Sequence, residues 1–182
     1  MSLHGKNILL AVSGSIAAYK AAFLVRLLIK SGCHVKVIMT RSAVDIISPL
    51  TLSTLSKNNV VTSVADESGW NSHVELGLWA DYMVVAPATA ATLARMAAGL
   101  SDNIIVASYL SARCKVCVAP AMDVDMWHHP STQHNLNLLQ SRNVEIIPVG
   151  YGELASGLEG EGRMAEPEEI LNFLEALADT QQ

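Results

Sequence analysis

Two short stretches of this sequence place small, hydroxyl-bearing and acidic residues directly after apolar runs. Residues 86–92 follow the apolar run at 82–85, and residues 120–123 follow the apolar run at 116–119. Apolar runs of this length are typical of buried parallel strands. Since the ligands of an open α/β sheet bind at the carboxyl ends of its strands, the two stretches predict a pocket there for a flat, phosphorylated ligand.

The turn after the first apolar run is suited to an anion. Residues 13–16 read Ser-Gly-Ser-Ile and stand between a predicted strand and a predicted helix. Glycine allows a tight turn, and the helix N-terminus offers free N–H groups and a positive dipole. A dinucleotide-binding fold would show G-x-G-x-x-G here and an acidic residue after the second strand. Because Thr40, Arg41 and Ser42 follow that strand instead, the sequence favours a mononucleotide over NAD.

Three histidines need separate interpretations. His73 lies shortly before the apolar run at residues 82–85, where an isolated histidine is also consistent with a surface or capping role. The two ligand loops make it a candidate catalytic residue. The adjacent His128 and His129 do not easily face one metal ion from a helix, so we interpret them as a solvated helix start and predict no metal.

The three cysteines are an odd number and do not indicate a disulfide framework. Cys114 and Cys117 form a C-x-x-C pair, but no second pair of metal ligands accompanies them. They lead into a strand rather than starting a helix, which disfavours a redox pair. We therefore interpret them as buried small residues and expect a cytoplasmic protein.

Strand and helix patterns alternate along the chain, which predicts an α/β fold. We expect a three-layer, Rossmann-like (flavodoxin-like) doubly wound parallel sheet in a single domain over residues 1–182. Strands are predicted at residues 7–12, 34–40, 60–64, 82–86, 115–119 and 144–148, and helices at 15–30, 49–55, 89–99, 102–110, 131–142 and 166–177. The glycine-rich residues 150–162 are predicted to form a mobile flap or a long surface loop.

Composition narrows the classes of partner. The chain has 182 residues, of which 51% are hydrophobic and 16% are charged, and its formal net charge is −5. This proportion of hydrophobic to charged residues fits a sheet covered by helices on both faces, or an oligomer that hides part of its surface. The absence of a cluster of Lys and Arg residues argues against nucleic acid as a binding partner. No apolar run reaches the ~18 residues of a membrane-spanning helix. We read the N-terminal apolar run at 8–12 as a strand rather than a signal peptide, because an amphipathic helix follows it.

Several motifs together carry a family resemblance that covers nearly the whole chain in order. They are SGSIAAYK at residues 13–20, HVEL at 73–76, WAD at 79–81, PATAAT at 87–92, GLSDN at 99–103, PAMD at 120–123, MW at 126–127 and GEGRM at 160–164. The chain resembles the flavin-dependent cysteine decarboxylase family, and within it the members that decarboxylate 4′-phosphopantothenoyl-cysteine in coenzyme A biosynthesis.

The resemblance implies an FMN enzyme built from homotrimers, which in many members associate into dodecamers, with the flavin near a subunit interface. By position, the FMN phosphate and ribityl chain would be held by Gly14, Ser15, Thr40 and Ser42, with Ile16 also at the cofactor. The isoalloxazine would be lined by Thr89, Ala90, Ala91, Thr92 and Ala121. The substrate would contact Met122, Asp123 and Ala155.

The resemblance also implies a reaction. The thiol carbon of the substrate is oxidised by the flavin to a thioaldehyde, carbon dioxide leaves, and the resulting enethiol is reduced again by the same flavin. His73 matches the family's essential histidine, which is expected to act as a base during thiol oxidation. Asp123 and Ser156 stand at two further catalytic positions.

Both of those positions depart from the family pattern. Asp123 stands where an asparagine usually grips the substrate carboxylate, and Ser156 stands where a flap cysteine usually donates a proton to the enethiol. A serine hydroxyl is a much poorer acid than a thiol. Three accounts remain: a natural subgroup in which Ser156, Asp123 or water donates the proton, an enzyme that stops at the enethiol, or an engineered variant. We favour the first, with Asp123 as the donor.

Two alternative functions stay open. One is oxidative decarboxylation of a C-terminal peptide cysteine, which needs no re-reduction and so fits the missing flap cysteine. The other is a non-catalytic, flavin-binding regulatory subunit, against which His73 argues. A flavin prenyltransferase is disfavoured by His73 and the PAMD loop. Many relatives fuse this domain to a ligase that joins cysteine to phosphopantothenate, so that activity is an expected partner. Trp127 is either a core residue or a cover for the flavin of a neighbouring subunit.

Overall fold

A parallel sheet of five strands forms the centre of the structure, a computed structural model that describes residues 3–66, 69–70 and 72–180. In chain order the elements are β1 (Asn7–Val12), a 3-10 turn (Ile16–Tyr19), α1 (Lys20–Lys30), β2 (His34–Met39), α2 (Arg41–Val44), α3 (Pro49–Ser56), β3 (Ala65–Asp66), β4 (Gly69–Trp70), α4 (His73–Trp79), β5 (Tyr82–Ala88), α5 (Ala90–Ala98), α6 (Ile104–Ser111), β6 (Lys115–Pro120), α7 (Val124–His128), α8 (Pro130–Ser141), β7 (Val144–Ile146), β8 (Gly150–Glu153), β9 (Glu159–Arg163) and α9 (Pro167–Asp179).

The order of the strands across the sheet is β2-β1-β5-β6-β7, and all neighbours are parallel. The chain turns from one half of the sheet to the other between β1 and β5, which creates a switch point at their carboxyl ends. The predicted doubly wound α/β fold is confirmed. The switch point places the ends of β1, β2 and β5 side by side.

The central strands are buried on both faces. β5 is buried along its whole length, and β1 is buried from its second residue onward. One face of the sheet packs against α1, α3 and α9, and the other packs against α5, α6 and α8. The continuous apolar runs of the sequence are therefore explained, because a strand covered by helices on both faces needs no polar alternation.

Three local predictions differ from the structure. Residues 60–64 form no strand of their own and make a single parallel bridge, between Ile38 and Val61. The last strand of the sheet ends at Ile146 rather than at residue 148. Residues 150–162 fold as a β-hairpin of β8 and β9. The hairpin was not predicted because its sequence is polar and glycine-rich, and glycine weakens the signal for a strand.

Helix α4, which begins at His73, was not predicted. The helix has seven residues, and Ser72 caps it by accepting a hydrogen bond from the Glu75 N–H. Gly77 allows α4 to approach α6 closely, since a Cβ atom there would lie 2.8 Å from the Ser111 carbonyl carbon. A helix this short gives too little periodicity for prediction from sequence.

The cysteine thiols are shielded from solvent to different degrees. Cys117 is fully buried, and Cys114 is partly buried. Burial raises the pKa of the Cys117 thiol to about 12 and also raises the pKa of Cys114. Both thiols therefore stay protonated at neutral pH, in line with their interpretation as small core residues. Within the described part of the chain, no helix has the length and apolarity required to cross a bilayer.

Removing the hydroxyl of Ser108 is expected to stabilise the protein. Ser108 is fully buried in α6, and its Oγ has no hydrogen-bond partner among the described residues. Ser108→Ala removes that desolvated group and improves helix propensity, so the free energy of unfolding should rise by about 1 kcal/mol. Urea denaturation measures the change. The control is Ser111→Ala, because the Ser111 Oγ donates to the Ala107 carbonyl at 3.0 Å; a larger gain in that variant would contradict the prediction.

Candidate active site at the carboxyl edge of the sheet

Ser13 joins the loops that follow β1 and β5. Its buried Oγ donates to the Pro87 carbonyl at 2.7 Å and accepts from the Thr89 N–H at 3.1 Å. The start of α5 is therefore fixed against the first turn. Sequence reasoning assigned no role to Ser13, which is the first residue of the SGSIAAYK motif. Its two hydrogen-bond partners lie more than 70 residues away in the chain, so no local pattern indicates them.

Ser13→Ala is expected to destabilise the protein by about 1–3 kcal/mol, because the half-buried Thr89 N–H would lose its acceptor. Thermal or urea unfolding measures the loss. Ser141→Ala is the matched control, since the exposed Ser141 Oγ donates to the Leu138 carbonyl on a helix surface. Equal stability of the two variants would contradict the role assigned to Ser13.

Hydroxyl groups cluster at the ends of β1 and β2. Ser15 caps the 3-10 turn by accepting from the Ala17 N–H, and Thr40 caps α2 by accepting from the Ala43 N–H. The Thr40 Oγ1 and Ser42 Oγ atoms lie 3.1 Å apart. Ser42 packs directly over Gly14, where a Cβ atom would collide with the serine side chain. This close approach brings the predicted residues of both loops together.

The end of β5 supplies a second, smaller group. Thr89 caps α5: its Oγ1 accepts from the Thr92 N–H at 3.2 Å and donates to the Thr92 Oγ1 at 3.0 Å. Ala90 is half-buried and Ala91 is exposed in the first turn of that helix. Small side chains at this position leave the carboxyl edge open beside Ser13.

A cavity of about 420 Å³ lies next to these loops. Its walls come from the 3-10 turn with the start of α1, from the loop after β6, and from the β8–β9 hairpin. The predicted site residues that line it are Ser15, Ile16, Ala121, Met122, Asp123, Ala155 and Ser156. The predicted substrate residues therefore meet three of the predicted cofactor residues at one cavity. The other predicted cofactor residues are not in its lining: Gly14, Thr40, Ser42, Thr89, Ala90, Ala91 and Thr92.

The hairpin is seated on the loop after β6 through two glycines. The Met122 N–H donates to the Gly162 carbonyl at 3.0 Å, and Gly162 has a φ of 127°, where an added Cβ would collide with the Met122 carbonyl oxygen. Gly160 packs against Val124, and an added Cβ there would lie 2.6 Å from a valine methyl. Glycine is required at both positions for this seat.

Asp123 and Ser156 line the cavity from two different elements, the loop after β6 and the hairpin. Asp123 is half-buried and caps α7, with its Oδ1 accepting from the Val124 N–H at 2.7 Å. Ser156 is exposed near the tip of the hairpin, and its Oγ accepts from the Leu158 N–H at 3.3 Å. The two side chains thus present oxygen atoms where the family pattern has an amide and a thiol.

Two cations of the cavity wall were missed by sequence reasoning. Lys20 and Arg163 both line the cavity and share the carboxylate of Glu166. The hydrogen bond from Lys20, together with the charges of both cations, holds the pKa of Glu166 below its usual value. Lys20 belongs to the SGSIAAYK motif and Arg163 to the GEGRM motif, but no local sequence pattern indicates that either residue pairs with Glu166.

His73 is not among the residues that line the cavity. It is half-buried and is the first residue of α4, directly after the capping residue Ser72. Its role as a base therefore stays a prediction. Trp127 packs against the apolar cluster on the α5, α6 and α8 face of the sheet, which agrees with the core interpretation.

The paired histidines have separate surroundings. The His128 Nε2 lies 3.6 Å from a Glu161 carboxylate oxygen, whereas the His129 Nδ1 accepts from the Ser131 N–H and caps α8. Across the described ranges, 3–66, 69–70 and 72–180, no group of three metal-ligating side chains is found.

The chemistry of the donor set decides which kind of group this edge can hold. Hydroxyls of Ser15, Thr40 and Ser42 stand around a glycine turn, and Lys20 and Arg163 add positive charge nearby. These groups fit a phosphate. The model of the family described as Flavoprotein matches residues 1–179. The chain belongs to the Flavoprotein family.

Two curated relatives of this family member match different shares of the chain. Over 127 residues, 69% of this chain, it is 62% identical to a cysteine/cysteine sulfinic acid decarboxylase from an unknown prokaryotic organism. Over 175 residues, 95% of this chain, it is 41% identical to the coenzyme A biosynthesis bifunctional protein CoaBC of Bacillus subtilis strain 168. The matches cover 35% and 43% of those proteins, so the chain spans less than half the length of either relative.

A solved structure resembles this flavoprotein over nearly its full length. It is a cysteine-to-serine mutant of PPC decarboxylase complexed with pantothenoylaminoethenethiol, with a TM-score of 0.85 and 31% sequence identity. The alignment covers 97% of this chain and 100% of that one. The fold is therefore shared from end to end.

Proposed function

We propose that this chain is an FMN-dependent carbon–carbon lyase that decarboxylates 4′-phosphopantothenoyl-cysteine to 4′-phosphopantetheine in coenzyme A biosynthesis. The observation that carries the proposal is the cavity between the hydroxyl-bearing carboxyl edge and the β8–β9 hairpin. It occurs in a fold shared with a PPC decarboxylase that holds an N-acylated aminoethenethiol. Such an enethiol is what remains when an oxidised N-acyl cysteine loses carbon dioxide.

One group of residues binds the cofactor and a second group binds the substrate. Gly14, Ser15, Thr40 and Ser42 bind the FMN phosphate and ribityl chain, with Ile16 beside them. The start of α5 and Ala121 border the flavin ring, and Met122, Asp123 and Ala155 contact the substrate. When bound, the flavin supplies reversible two-electron chemistry at the carbon that carries the thiol.

Proton transfers fall to the side chains. His73 accepts the proton that leaves when the thiol carbon is oxidised. Asp123 is proposed to return a proton in the reduction, because Ser156 is a poor acid. The hairpin covers the substrate and excludes water from the reacting atoms.

We further propose that the protein works in the cytoplasm as a homotrimer, with a dodecamer of four trimers as the larger assembly. Exposed Ile16, Tyr19 and Phe23 beside the cavity support burial in an assembly. The ligase that makes 4′-phosphopantothenoyl-cysteine is the expected partner, either in one longer chain or separately. Light scattering on the purified protein tests the assembly.

Mass spectrometry of the product tests the proposed reaction. FMN-loaded protein is incubated with 4′-phosphopantothenoyl-cysteine while the flavin absorbance is followed. We expect loss of carbon dioxide alone, with the flavin returning to its oxidised form. Loss of carbon dioxide plus two hydrogens, with bleached flavin, would instead identify an oxidative enzyme that stops at the enethiol, as for a peptide cysteine. Bound FMN without turnover would identify a binding subunit.

A second candidate substrate is unacylated cysteine, which would yield cysteamine. Asp123 favours it, because an ionised carboxylate in the cavity can pair with the ammonium group that an N-acylated substrate lacks. The relative with 62% identity, named for cysteine and cysteine sulfinic acid, points the same way. A sulfinic acid has no thiol, so cysteine fits the proposed chemistry better. Measuring cysteamine release from L-cysteine tests this candidate.

A further inference from the structure

Lys20 is a buried cation beside the proposed substrate cavity. Its side chain is only 6% exposed, yet the residue lines the cavity together with Ser15, Asp123 and Ser156. Lysine is almost never fully buried unless it is paired. The surroundings of its ammonium group therefore need an explanation.

The ammonium group ties three elements together. The Lys20 Nζ donates to the Glu166 Oε1 at 2.8 Å and to the Met164 carbonyl at 3.1 Å. Met164 directly follows β9, and Glu166 precedes the first residue of α9. The start of α1 is thus joined to the end of the hairpin and to the start of α9.

These two acceptors leave one donor of the ammonium group unused. An ammonium group has three N–H donors, and the structure gives two acceptors for this one among the described residues. Glu166 also accepts from Arg163 at 3.2 Å, so a single carboxylate is shared by two cations. Lys20, Arg163 and Glu166 together therefore carry one net positive charge and leave a spare donor at Lys20, while the carboxylates of Glu153 and Asp123 also line the cavity.

The loop after β6 offers no side-chain N–H donor to a carboxylate at Asp123. The Asp123 side chain carries no amide N–H, and its Oδ1 already accepts from the Val124 N–H. An anionic ligand must consequently find its donor elsewhere. Lys20 is the more deeply buried of the two cations in the wall, and hydrogen bonds to a buried charge are the stronger ones.

We propose that Lys20 binds an anionic oxygen of the substrate, a carboxylate or a phosphate, through its third N–H while its other two donors hold the end of the hairpin and the start of α9. The inference rests on the proposed decarboxylase function. It gives Lys20 a substrate-binding role in place of the amide donor that Asp123 cannot supply.

The deciding comparison is between Lys20→Met and Glu166→Gln. The first removes the donor, and the second keeps the ammonium group while weakening its tie to the start of α9. We expect Lys20→Met to raise KM for 4′-phosphopantothenoyl-cysteine about tenfold or more, and Glu166→Gln to leave KM unchanged or lower. Equal increases in both variants, or no change in either, would overturn the proposal, because the first outcome indicates a tether alone.

The matched control is Lys115→Met. Lys115 pairs with Glu145 at 3.0 Å on strands β6 and β7, away from the cavity, so this variant should keep the parent KM. Should Lys20→Met fail to fold, Glu166→Gln decides by itself, since a tenfold rise in its KM would overturn the proposal. Absence of turnover in the parent protein would refute the proposed function instead, and the binding measurements below would still test Lys20.

Three ligand comparisons identify which anion is bound. If the anion is the substrate carboxylate, Lys20→Met weakens both 4′-phosphopantothenoyl-cysteine and pantothenoyl-cysteine but spares pantothenoyl-cysteamine. If it is the substrate phosphate, only the phosphorylated ligand is weakened. Weaker binding of FMN with unchanged binding of riboflavin, measured by fluorescence titration, would mean that Lys20 holds the flavin phosphate and would overturn its substrate-binding role. Unchanged affinity for every one of these ligands would overturn the proposal.

Discussion

The Asp123→Asn variant is expected to change substrate preference by about two orders of magnitude. An ionised aspartate repels a substrate carboxylate and attracts an ammonium group, whereas an asparagine amide can donate to the carboxylate. Charge-assisted hydrogen bonds contribute about 1.5–3 kcal/mol each, so the second-order rate constant for flavin reduction by substrate should rise for the N-acylated substrate and fall for L-cysteine. Anaerobic single-turnover kinetics with both substrates measures the ratio and keeps this step separate from the later reduction of the enethiol.

The control for this change is Asp125→Asn. Asp125 is exposed on α7, two residues along the chain, so the same chemical substitution should leave the ratio unchanged. A ratio that moves equally in both variants would show that the effect is one of net charge and not of the cavity.

Asp123→Asn also tests the origin of the proton used in the reduction. If Asp123 donates that proton, its asparagine variant should release enethiol and leave the flavin reduced. Rapid-mixing absorbance of the flavin and mass spectrometry of the product report this step separately from substrate binding. An unchanged rate of flavin reoxidation would refute Asp123 as the donor and would leave Ser156 or water.

The His73→Asn variant is expected to lose activity by a factor of about 10²–10⁴ in kcat, which is the usual contribution of a positioned base. FMN affinity should be unchanged, because His73 is outside the groups assigned to the cofactor. Single-turnover reduction of the flavin by substrate measures the affected step directly. His134→Asn is the control, since His134 is exposed on α8.

A normal rate of flavin reduction in His73→Asn would exclude His73 as the base. Since His73 is not among the residues that line the cavity of one chain, that outcome would direct attention to the side chains that do line it, Asp123 first. A loss of FMN together with activity would indicate a role in holding the cofactor.

The central strands and their ligand loops were predictable from local sequence. β1, β5 and β6 are buried by helices on both faces, so their residues form uninterrupted apolar runs that only a covered parallel strand requires. The small and hydroxyl-bearing residues after them fall at the carboxyl edge because all these strands run in the same direction. The hydroxyl groups of Ser15, Thr40 and Ser42 were found in this way.

Weakly patterned elements were not predictable. The seven residues of α4 contain a glycine that is required by contact with α6, and the hairpin β8–β9 contains glycines that are required by contact with the loop after β6. In both α4 and the hairpin, glycine is required by a segment that is close in space and distant in sequence. Local propensity alone therefore indicates a loop.

The sequence by itself determined the fold class, and it predicted the edge of the sheet for the site and the residues proposed to hold a phosphate. Only the tertiary structure decided that Ser13 joins two loops and that Lys20 meets Glu166 across 146 residues of chain. The physical reason is the distance along the chain between the residues that interact. Burial and helix periodicity leave a repeating pattern in neighbouring residues, whereas a single hydrogen bond or ion pair between distant segments leaves none.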